Sequence, residues 1–373
     1  MQFADVIGNR GTKNFLTESF SASRIPHAQL FLAPPGSGGL AMAAAFAQLL
    51  NCERPQADDS CGKCLSCIKA GKMVHPDIHF SFPVVKKKDD DALSNVFMKE
   101  FREAFAANPY MNLPEWISNI DKENKQGNLS AAECNEIIRV FNLKTFEGKY
   151  KILLMWLPEY LGKEGNRLLK LLEEPPQNSV FILVAENHAQ ILNTILSRTQ
   201  LVKMRKLTDE EITDALVAQK GLDEKEALHF ARLADGDFGQ ACRLLNQTED
   251  HVEMLRQWVE TATRFTPEKL MEWVETFSSN SREQMKSFLT YASGFARELI
   301  LRQMSPFSRN RLNPAEEQIV KDFLSSSDVT AVAEWSELVD NLQRQIERNA
   351  HPKITITHHT IRMRDLLAAR VAG

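Results

Sequence analysis

The chain has 373 residues, of which 43% are hydrophobic, and a formal net charge of −4 at pH 7. This length predicts about two to three domains with sizeable cores, and the weak charge argues against a protein that coats nucleic acid by charge alone. Residues 1–5 already include an acidic side chain, and no run of about 18 apolar residues follows. The sequence therefore predicts neither a basic-then-apolar leader nor a membrane span, and we expect a cytoplasmic protein.

Five short apolar runs in the first 205 residues predict buried strands of a parallel sheet. Helical segments separate the runs, as βαβ units require, and this alternation predicts a five-stranded α/β domain. The runs are residues 29–32, 78–84, 151–156, 180–184 and 200–204.

The turn after the first predicted strand has the context of a phosphate-binding loop, G-x-x-x-x-G-K-[ST], but not its chemistry. Ala33 stands at the first Gly of that pattern, Gly38 at the second, and Gly36 between them. Gly39 and Leu40 replace the Lys that contacts the β- and γ-phosphates and the hydroxyl that ligates Mg²⁺. The loop therefore predicts no tight nucleotide binding. An ordinary Gly-rich turn is the alternative interpretation.

Four cysteines follow at the spacing C-x8-C-x2-C-x2-C, namely Cys52, Cys61, Cys64 and Cys67. Thiolates at this spacing can reach one metal ion from a tight turn, and four of them complete a tetrahedral Zn²⁺ shell. Such a shell leaves no position open for water or substrate, so residues 52–67 predict a structural zinc module. The alternatives are free thiols or disulfides, and disulfides are disfavoured in a cytoplasmic chain.

Between the second strand and a capping box at residues 130–133 lies a long insert, residues 86–128, whose role the sequence does not predict. Its opening charge run, residues 86–91, predicts a solvated loop. Beyond the capping box, a helix over 163–172 ends before Pro175-Pro176.

After residue 206 the strand signals end. A second capping box at 208–211 and helices near 209–219, 224–234 and 238–247 predict a small helical module over 206–248. Long amphipathic helices, including 252–263, 283–301 and 331–348, then predict an all-α domain over 249–373. The α/β domain accordingly spans residues 1–205.

Several segments together carry a family resemblance. They are residues 24–31 (RIPHAQLF), the four cysteines, residues 168–176 (LLKLLEEPP), residues 195–199 (ILSRT) and residues 234–241 (ADGDFGQA). They resemble, in turn, the lead into the phosphate loop, the zinc module, the LLKxLEEPP segment, the S-R-C motif and the lid-helix motif of the bacterial DNA polymerase III clamp-loader delta prime family, a branch of the AAA+ proteins. The matches cover about residues 1–250, and the tail matches only in being helical.

The resemblance implies an AAA+ fold with a helical lid over 206–248 and a helical collar over 249–373. It also implies gamma/tau and delta subunits as partners, and contact with the sliding clamp and primer-template DNA through the complex. Hydrolysing relatives carry an acidic pair after the third strand and an Arg in the lid helix. Here Trp156, Leu157 and Gly239 stand at those positions, and the nearest carboxylate, Glu159, is interpreted as a surface residue.

These losses predict a subunit that is not itself an enzyme and binds no ATP, with structural zinc as its only cofactor. The resemblance implies that polymerase activity resides in another subunit. The segment that resembles the S-R-C motif retains its arginine, Arg198, preceded by Ser197. Taken alone, an Arg in a short connection is usually solvated or ion-paired. The resemblance implies an arginine finger that acts in trans on the neighbouring subunit's nucleotide, a role worth roughly 10³–10⁵ in rate in GTPases.

Two other functions stay open at this point. A self-contained AAA+ ATPase with a divergent phosphate loop would bind nucleotide as an isolated chain. A zinc-dependent nucleic-acid module would need basic and aromatic residues interleaved around the cysteines. Lys63, Lys69 and Lys72 are present, but no aromatic residue lies between Cys52 and Met73.

Overall fold

A computed structural model describes residues 1–86, 93–121, 126–246, 248–304, 314–324 and 329–368. The strands are β1 Ala28–Leu32, β2 Ile78–Ser81, β3 Lys151–Trp156, β4 Ser179–Ala185 and β5 Gln200–Lys203. Short 3-10 helices cover Phe3–Asp5, Ser94–Phe97, Pro158–Leu168 and His188–Gln190.

The α-helices fall into two series along the chain. The first comprises α1 Arg10–Ser21, α2 Gly39–Leu50, α3 Leu65–Gly71, α4 Met98–Ala107, α5 Leu113–Ile120, α6 Ala131–Phe141, α7 Leu169–Glu173 and α8 Asn193–Leu196. The second comprises α9 Asp209–Lys220, α10 Glu224–Ala234, α11 Phe238–Asn246, α12 Thr248–Thr263, α13 Pro267–Ser278, α14 Arg282–Met304, α15 Pro314–Leu324, α16 Val329–Glu347 and α17 Pro352–Ala368.

The chain divides into two compact units. One comprises Met1–Ala215 with Asp235–Gly239, and the other comprises Leu216–Ala234 with Gln240–Gly373. The boundaries at 215 and 239 fall inside α9 and α11. The three-domain division at 205 and 248 therefore stays a prediction.

The first unit is built on a parallel sheet with strand order β2-β3-β4-β1-β5. This confirms the predicted five-stranded α/β domain, with two differences. β2 ends at Ser81, and Val84 forms only an isolated antiparallel bridge with Asn128. β5 is an edge strand with Leu201 45% exposed, so the prediction of five buried strands was wrong for β5.

The two faces of the sheet pack against separate cores because side chains alternate along a strand. Ile152 and Leu154 of β3 join a core that contains most of α2, while Leu153 and Met155 join one that contains the apolar face of α6. Both faces of the central strands are therefore apolar, as expected for a covered parallel sheet. Because all five strands run parallel, the β1–α2 turn lies at the carboxyl edge.

Both predicted capping boxes begin helices. At α9, Thr208 Oγ1 accepts the Glu211 N–H and the Glu211 carboxylate accepts the Thr208 N–H. At α6, Ser130 Oγ accepts the Glu133 N–H, but the Glu133 carboxylate accepts the Ser94 N–H from the insert. Glu133 therefore ties the insert to α6. Burial raises the pKa of its carboxyl.

The predicted helix over 163–172 is interrupted. A 3-10 segment, Pro158–Leu168, contains a break at Gly162, and only Leu169–Glu173 is α-helical. The predicted charge run at 86–91 lies outside the described residues apart from Lys86, as do residues 122–125 of the insert. In the described part of the insert, α4 and α5 pack Phe101 and Trp116 into the core.

The second unit is helical and has an aromatic core. Trp258 and Trp273 stack with ring centroids 5.9 Å apart, and both indole N–H groups donate to Thr360 Oγ1. The long helices predicted over 252–263, 283–301 and 331–348 are confirmed as α12, α14 and α16. None of the helices among the described residues is both long and apolar enough to cross a membrane.

Candidate functional sites

The turn between β1 and α2 keeps the shape of a phosphate loop. Gly36 has φ +63° and Gly38 has φ +88°, left-handed conformations that glycine adopts without a steric penalty. The N–H and hydroxyl of Ser37 both donate to Pro34 O, at 3.1 and 2.6 Å. The predicted strand, Gly-rich turn and helix are all present.

Side chains of Ala33 and Val184 occupy the space next to Gly39 at the end of this turn. A Cβ atom at Gly39 would lie 2.5 Å from Ala33 Cβ and 3.0 Å from Val184 Cγ1, closer than Cβ atoms approach in practice. Ala33 stands where the phosphate-loop pattern has Gly, and Gly39 stands where it has Lys. The two replacements are therefore sterically complementary. Leu40 is 4% exposed and packs in the core, so it presents no group to a ligand.

Side chains from distant parts of the sequence cover the turn. A Cβ at Gly38 would lie 2.8 Å from Tyr110 Cε1, and a Cβ at Gly36 would lie 1.8 Å from Asp237 Oδ1. The Tyr110 hydroxyl accepts the Ile7 N–H at 2.7 Å, and its ring meets Phe238 edge-on at 5.0 Å. A carboxylate and a phenol ring thus lie against the two glycines of the turn.

The sequence analysis did not identify Tyr110 or Asp237 as residues of this site. Tyr110 lies in the insert, which has no clear period, and no local pattern connects it to a turn more than 70 residues earlier. Asp237 belongs to the lid-helix segment, where only Gly239 was singled out. Gly239 lies in the first turn of α11, next to Phe238, whose N–H donates to Gly36 O at 3.2 Å.

The positions of the acidic pair lie in the core. Trp156 is 3% exposed with its ring 6.0 Å from Phe101, and Leu157 is 1% exposed. Glu159 is not the surface residue that the sequence suggested. Its Oε1 accepts the N–H groups of Glu186 and Asn187 beyond β4, and burial raises the pKa of its carboxyl.

Arg198 lies between α8 and the edge strand β5, and its side chain is 32% exposed. Its Nε donates to Glu173 Oε1 at 2.6 Å, and its Nη2 also contacts that oxygen. Its Nη1 donates to Thr194 O at 2.7 Å and to Ser197 Oγ at 3.1 Å. The guanidinium is therefore ordered and ion-paired beside the open edge of the sheet, and Ser197 is one of its direct partners.

The four cysteines of residues 52–67 are brought together. Their Sγ atoms all lie within 4.8 Å of one another, and they are free thiols, with Sγ of Cys61 and Cys67 3.9 Å apart. A tetrahedral shell with Zn–S bonds of about 2.3 Å places its sulfurs about 3.8 Å apart, so the cluster fits Zn²⁺. The structure contains no disulfide among these four cysteines, the alternative that the sequence analysis disfavoured.

Backbone N–H groups donate hydrogen bonds to three of the four cysteine sulfurs. The Cys61 N–H donates to Cys52 Sγ and the Cys64 N–H to Cys61 Sγ, both at 3.3 Å, and the Cys67 N–H donates to Cys64 Sγ at 3.4 Å. Hydrogen bonds from the N–H groups of Lys63 and Cys64 lower the pKa of Cys61 to about 6, whereas burial raises the pKa of Cys52 and of Cys67. Cys64 is also the N-cap of α3. These three N–H···S bonds are outer-shell contacts of the kind that orient metal ligands.

Comparison with known proteins finds similarity to subunits of DNA polymerase III. Residues 8–208 match the family described as DNA polymerase III, delta subunit. The tau subunit of DNA polymerase III from Bacillus subtilis is 25% identical over 252 residues, which cover 66% of this chain and 37% of that protein. The delta' subunit from Escherichia coli is 25% identical over 232 residues, which cover 61% of this chain and 57% of that protein.

The chain thus spans less than two thirds of the length of the curated relatives it matches. A solved DNA polymerase III gamma subunit-related protein from Thermotoga maritima is 15% identical, with a TM-score of 0.43 over 95% of this chain and 99% of that one.

Proposed function

Since the chain belongs to the DNA polymerase III delta subunit family of AAA+ clamp-loader proteins, we propose that it is the non-hydrolysing, delta prime-type subunit of a clamp loader. It assembles with gamma/tau and delta subunits in the cytoplasm and helps to load a sliding clamp onto primer-template DNA. It does not hydrolyse ATP, and polymerase activity resides in another subunit of the holoenzyme.

One observation carries the first part of this proposal: the closed phosphate turn. Ala33 fills the space that a side chain at position 39 would need, and Tyr110 and Asp237 cover the glycines. The Asp237 carboxylate repels the phosphate charges that the loop binds in hydrolysing relatives. Gly39 and Leu40 supply neither the Lys ammonium nor the hydroxyl that the loop pattern has at these two positions. The same observation disfavours a self-contained ATPase with a divergent loop.

The second part of the proposal is that Arg198 acts in trans. Its place beside edge strand β5 leaves the guanidinium partly exposed. A guanidinium next to a neighbouring subunit's γ-phosphate stabilises the charge that develops during phosphoryl transfer. Ser197 accepts a hydrogen bond from Nη1 and so orients the Arg198 side chain.

For the cysteines we propose a structural zinc ion, held by Cys52, Cys61, Cys64 and Cys67. Four thiolates close the coordination shell, so the ion supplies folding free energy to residues 52–67 and no Lewis-acid chemistry. A zinc-dependent nucleic-acid module has less support, since Lys69, one of the lysines near the cysteines, is ion-paired to Glu147 at 2.7 Å.

Replacement of Arg198 by Ala in a complex reconstituted with the gamma/tau and delta subunits tests the trans role. We expect intact assembly and lower ATP turnover, since the finger is worth roughly 10³–10⁵ at the single site that it serves. Arg139→Ala is the matched control, because Arg139 forms a surface ion pair with Glu136 on α6. Equal turnover of the Arg198→Ala and unaltered complexes contradicts the trans role. Mg²⁺-dependent, micromolar binding of fluorescent ATP to the isolated chain contradicts the closed turn.

A further inference from the structure

The Arg198 guanidinium is already engaged by groups of its own chain. An Arg side chain has five N–H donors. Nε and one N–H of Nη2 face Glu173, and Nη1 serves Thr194 O and Ser197 Oγ. Three of the five donors are therefore engaged in hydrogen bonds, and Nη2, which carries the other two, contacts the same Glu173 oxygen. A phosphate from another subunit thus meets a guanidinium that groups of its own chain already hold.

We propose that Glu173 is a positioning residue that holds Arg198 in an ion pair within its own chain, which we call the parked state. In this state Glu173 competes with the neighbouring subunit's nucleotide phosphate for the guanidinium. The inference deepens the trans role and rests on it. The competition is between acceptors of one kind, a carboxylate of this chain and the phosphate oxygens of the neighbour, because both bind guanidinium through paired N–H groups.

Glu173 is held in place for this contact by the end of α7. Leu171 and Leu172 are buried beneath it, and Leu172 O lies 3.0 Å from His27 Nε2. The helix ends at Glu173, since Pro175 and Pro176 follow and cannot continue it. The carboxylate is therefore presented by a fixed helix end to an arginine 25 residues further along the chain.

The ion pair is weak enough to be displaced. The Arg198 and Glu173 side chains are 32% and 46% exposed, and pairs this open to water contribute little to stability. A nucleotide phosphate carries more charge than a carboxylate, so it displaces Glu173 from the guanidinium once it comes within hydrogen-bond distance. Glu173 therefore delays engagement of the finger and does not prevent it.

The test compares Glu173→Gln with Glu174→Gln in the reconstituted clamp loader, with kcat and KM for ATP measured separately. Glu174 is the next residue, equally exposed at the same helix end, and is the matched control for the loss of one negative charge. We expect Glu173→Gln to raise kcat/KM for ATP by about two- to fivefold, the range that a partly exposed ion pair allows, and Glu174→Gln to leave it unchanged.

A double substitution separates the possible failures. If Glu173 acts through the guanidinium, Glu173→Gln combined with Arg198→Ala has the turnover of Arg198→Ala alone. Glu173→Asp, which keeps the carboxylate, returns kcat/KM toward the unaltered value. An unchanged or lower kcat/KM in folded Glu173→Gln, with Arg198→Ala still impaired, overturns the parked state and leaves the trans role intact. An Arg198→Ala complex with full turnover overturns both.

Discussion

The methyl group of Ala33 occupies the space that a side chain at Gly39 would require, with only 2.5 Å between Ala33 Cβ and the position of a Cβ at residue 39. Both residues depart from the phosphate-loop pattern, and each departure fits the other. Replacing Gly39 by Lys alone therefore does not restore the loop, because the methyl group of Ala33 stands where the pattern has Gly and leaves no room for the new side chain.

We expect Gly39→Lys to lower the free energy of unfolding by about 1–3 kcal/mol, as overpacking of a well-filled core does. The added Ala33→Gly substitution removes the methyl group and recovers most of that loss. Chemical denaturation of the unaltered chain, Gly39→Lys and Gly39→Lys with Ala33→Gly measures the three free energies of unfolding.

Neither variant is expected to bind ATP, because Tyr110 and Asp237 still cover the turn and Leu40 still lacks a hydroxyl. Gly11→Lys serves as the control, since a Cβ at Gly11 meets nothing within 4 Å. Gly39→Lys with unaltered stability would contradict the steric complementarity of residues 33 and 39.

The cysteine cluster predicts about one Zn²⁺ per chain by metal analysis of the purified protein. Cys64→Ser removes a thiolate ligand but keeps a side chain that can cap α3, so we expect loss of zinc and faster amide exchange across residues 52–71. Excess chelator is expected to have the same effect on the unaltered chain, because metal binding and folding are coupled.

Cys134→Ala provides the comparison for the zinc prediction. Cys134 is fully buried on α6 and lies outside the four-sulfur cluster, so its loss costs stability without changing the zinc content. A chain that is purified under metal-replete conditions with four titratable thiols and no zinc would contradict the site.

Asp77 predicts a pH dependence of folding stability. Burial raises the pKa of its carboxyl, but hydrogen bonds from the N–H groups of Glu147, Gly148 and Phe146 outweigh burial, and the net shift is downward. A lowered folded-state pKa contributes stability that is present above the unfolded pKa, about 3.9, and is lost as the pH falls through the folded value.

We therefore expect Asp77→Asn to destabilise the protein at pH 7 and to lose less stability than the unaltered chain between about pH 4 and pH 2. Urea unfolding at several pH values measures both. Glu18→Gln, at an exposed position on α1, should leave the profile unchanged. Parallel pH profiles for Asp77→Asn and the unaltered chain would show that Asp77 does not carry this dependence.

Local patterns were enough to predict the sheet and the grouping of the four cysteines. The strands of the sheet are short apolar runs, and the sheet's two cores follow from side-chain alternation, so β3 and β4 could be located from their residues alone. The cysteines lie within 16 positions of one another, and their spacing limits how far apart the sulfurs can be. In both cases the signal is contained in a short segment.

The contacts that define the candidate site are long-range and were not predicted. Tyr110 reaches Gly38, and Glu173 reaches Arg198 across 25 residues, through tertiary packing that no local period encodes. In the second unit, the sequence analysis did not name α13 and α17, which bury Trp273 and Thr360.

The hydrogen bond from the Ile7 N–H to the Tyr110 hydroxyl has a consequence for how the first unit responds to its surroundings. Residues near the amino terminus, in the insert and in the Asp235–Gly239 segment all converge on the same turn. In a protein whose loop binds nucleotide, these elements would shift as the ligand came and went. In this chain, side chains lie against the glycines of the turn, and under the proposed function we expect the geometry of this region to be independent of the cellular ratio of ATP to ADP.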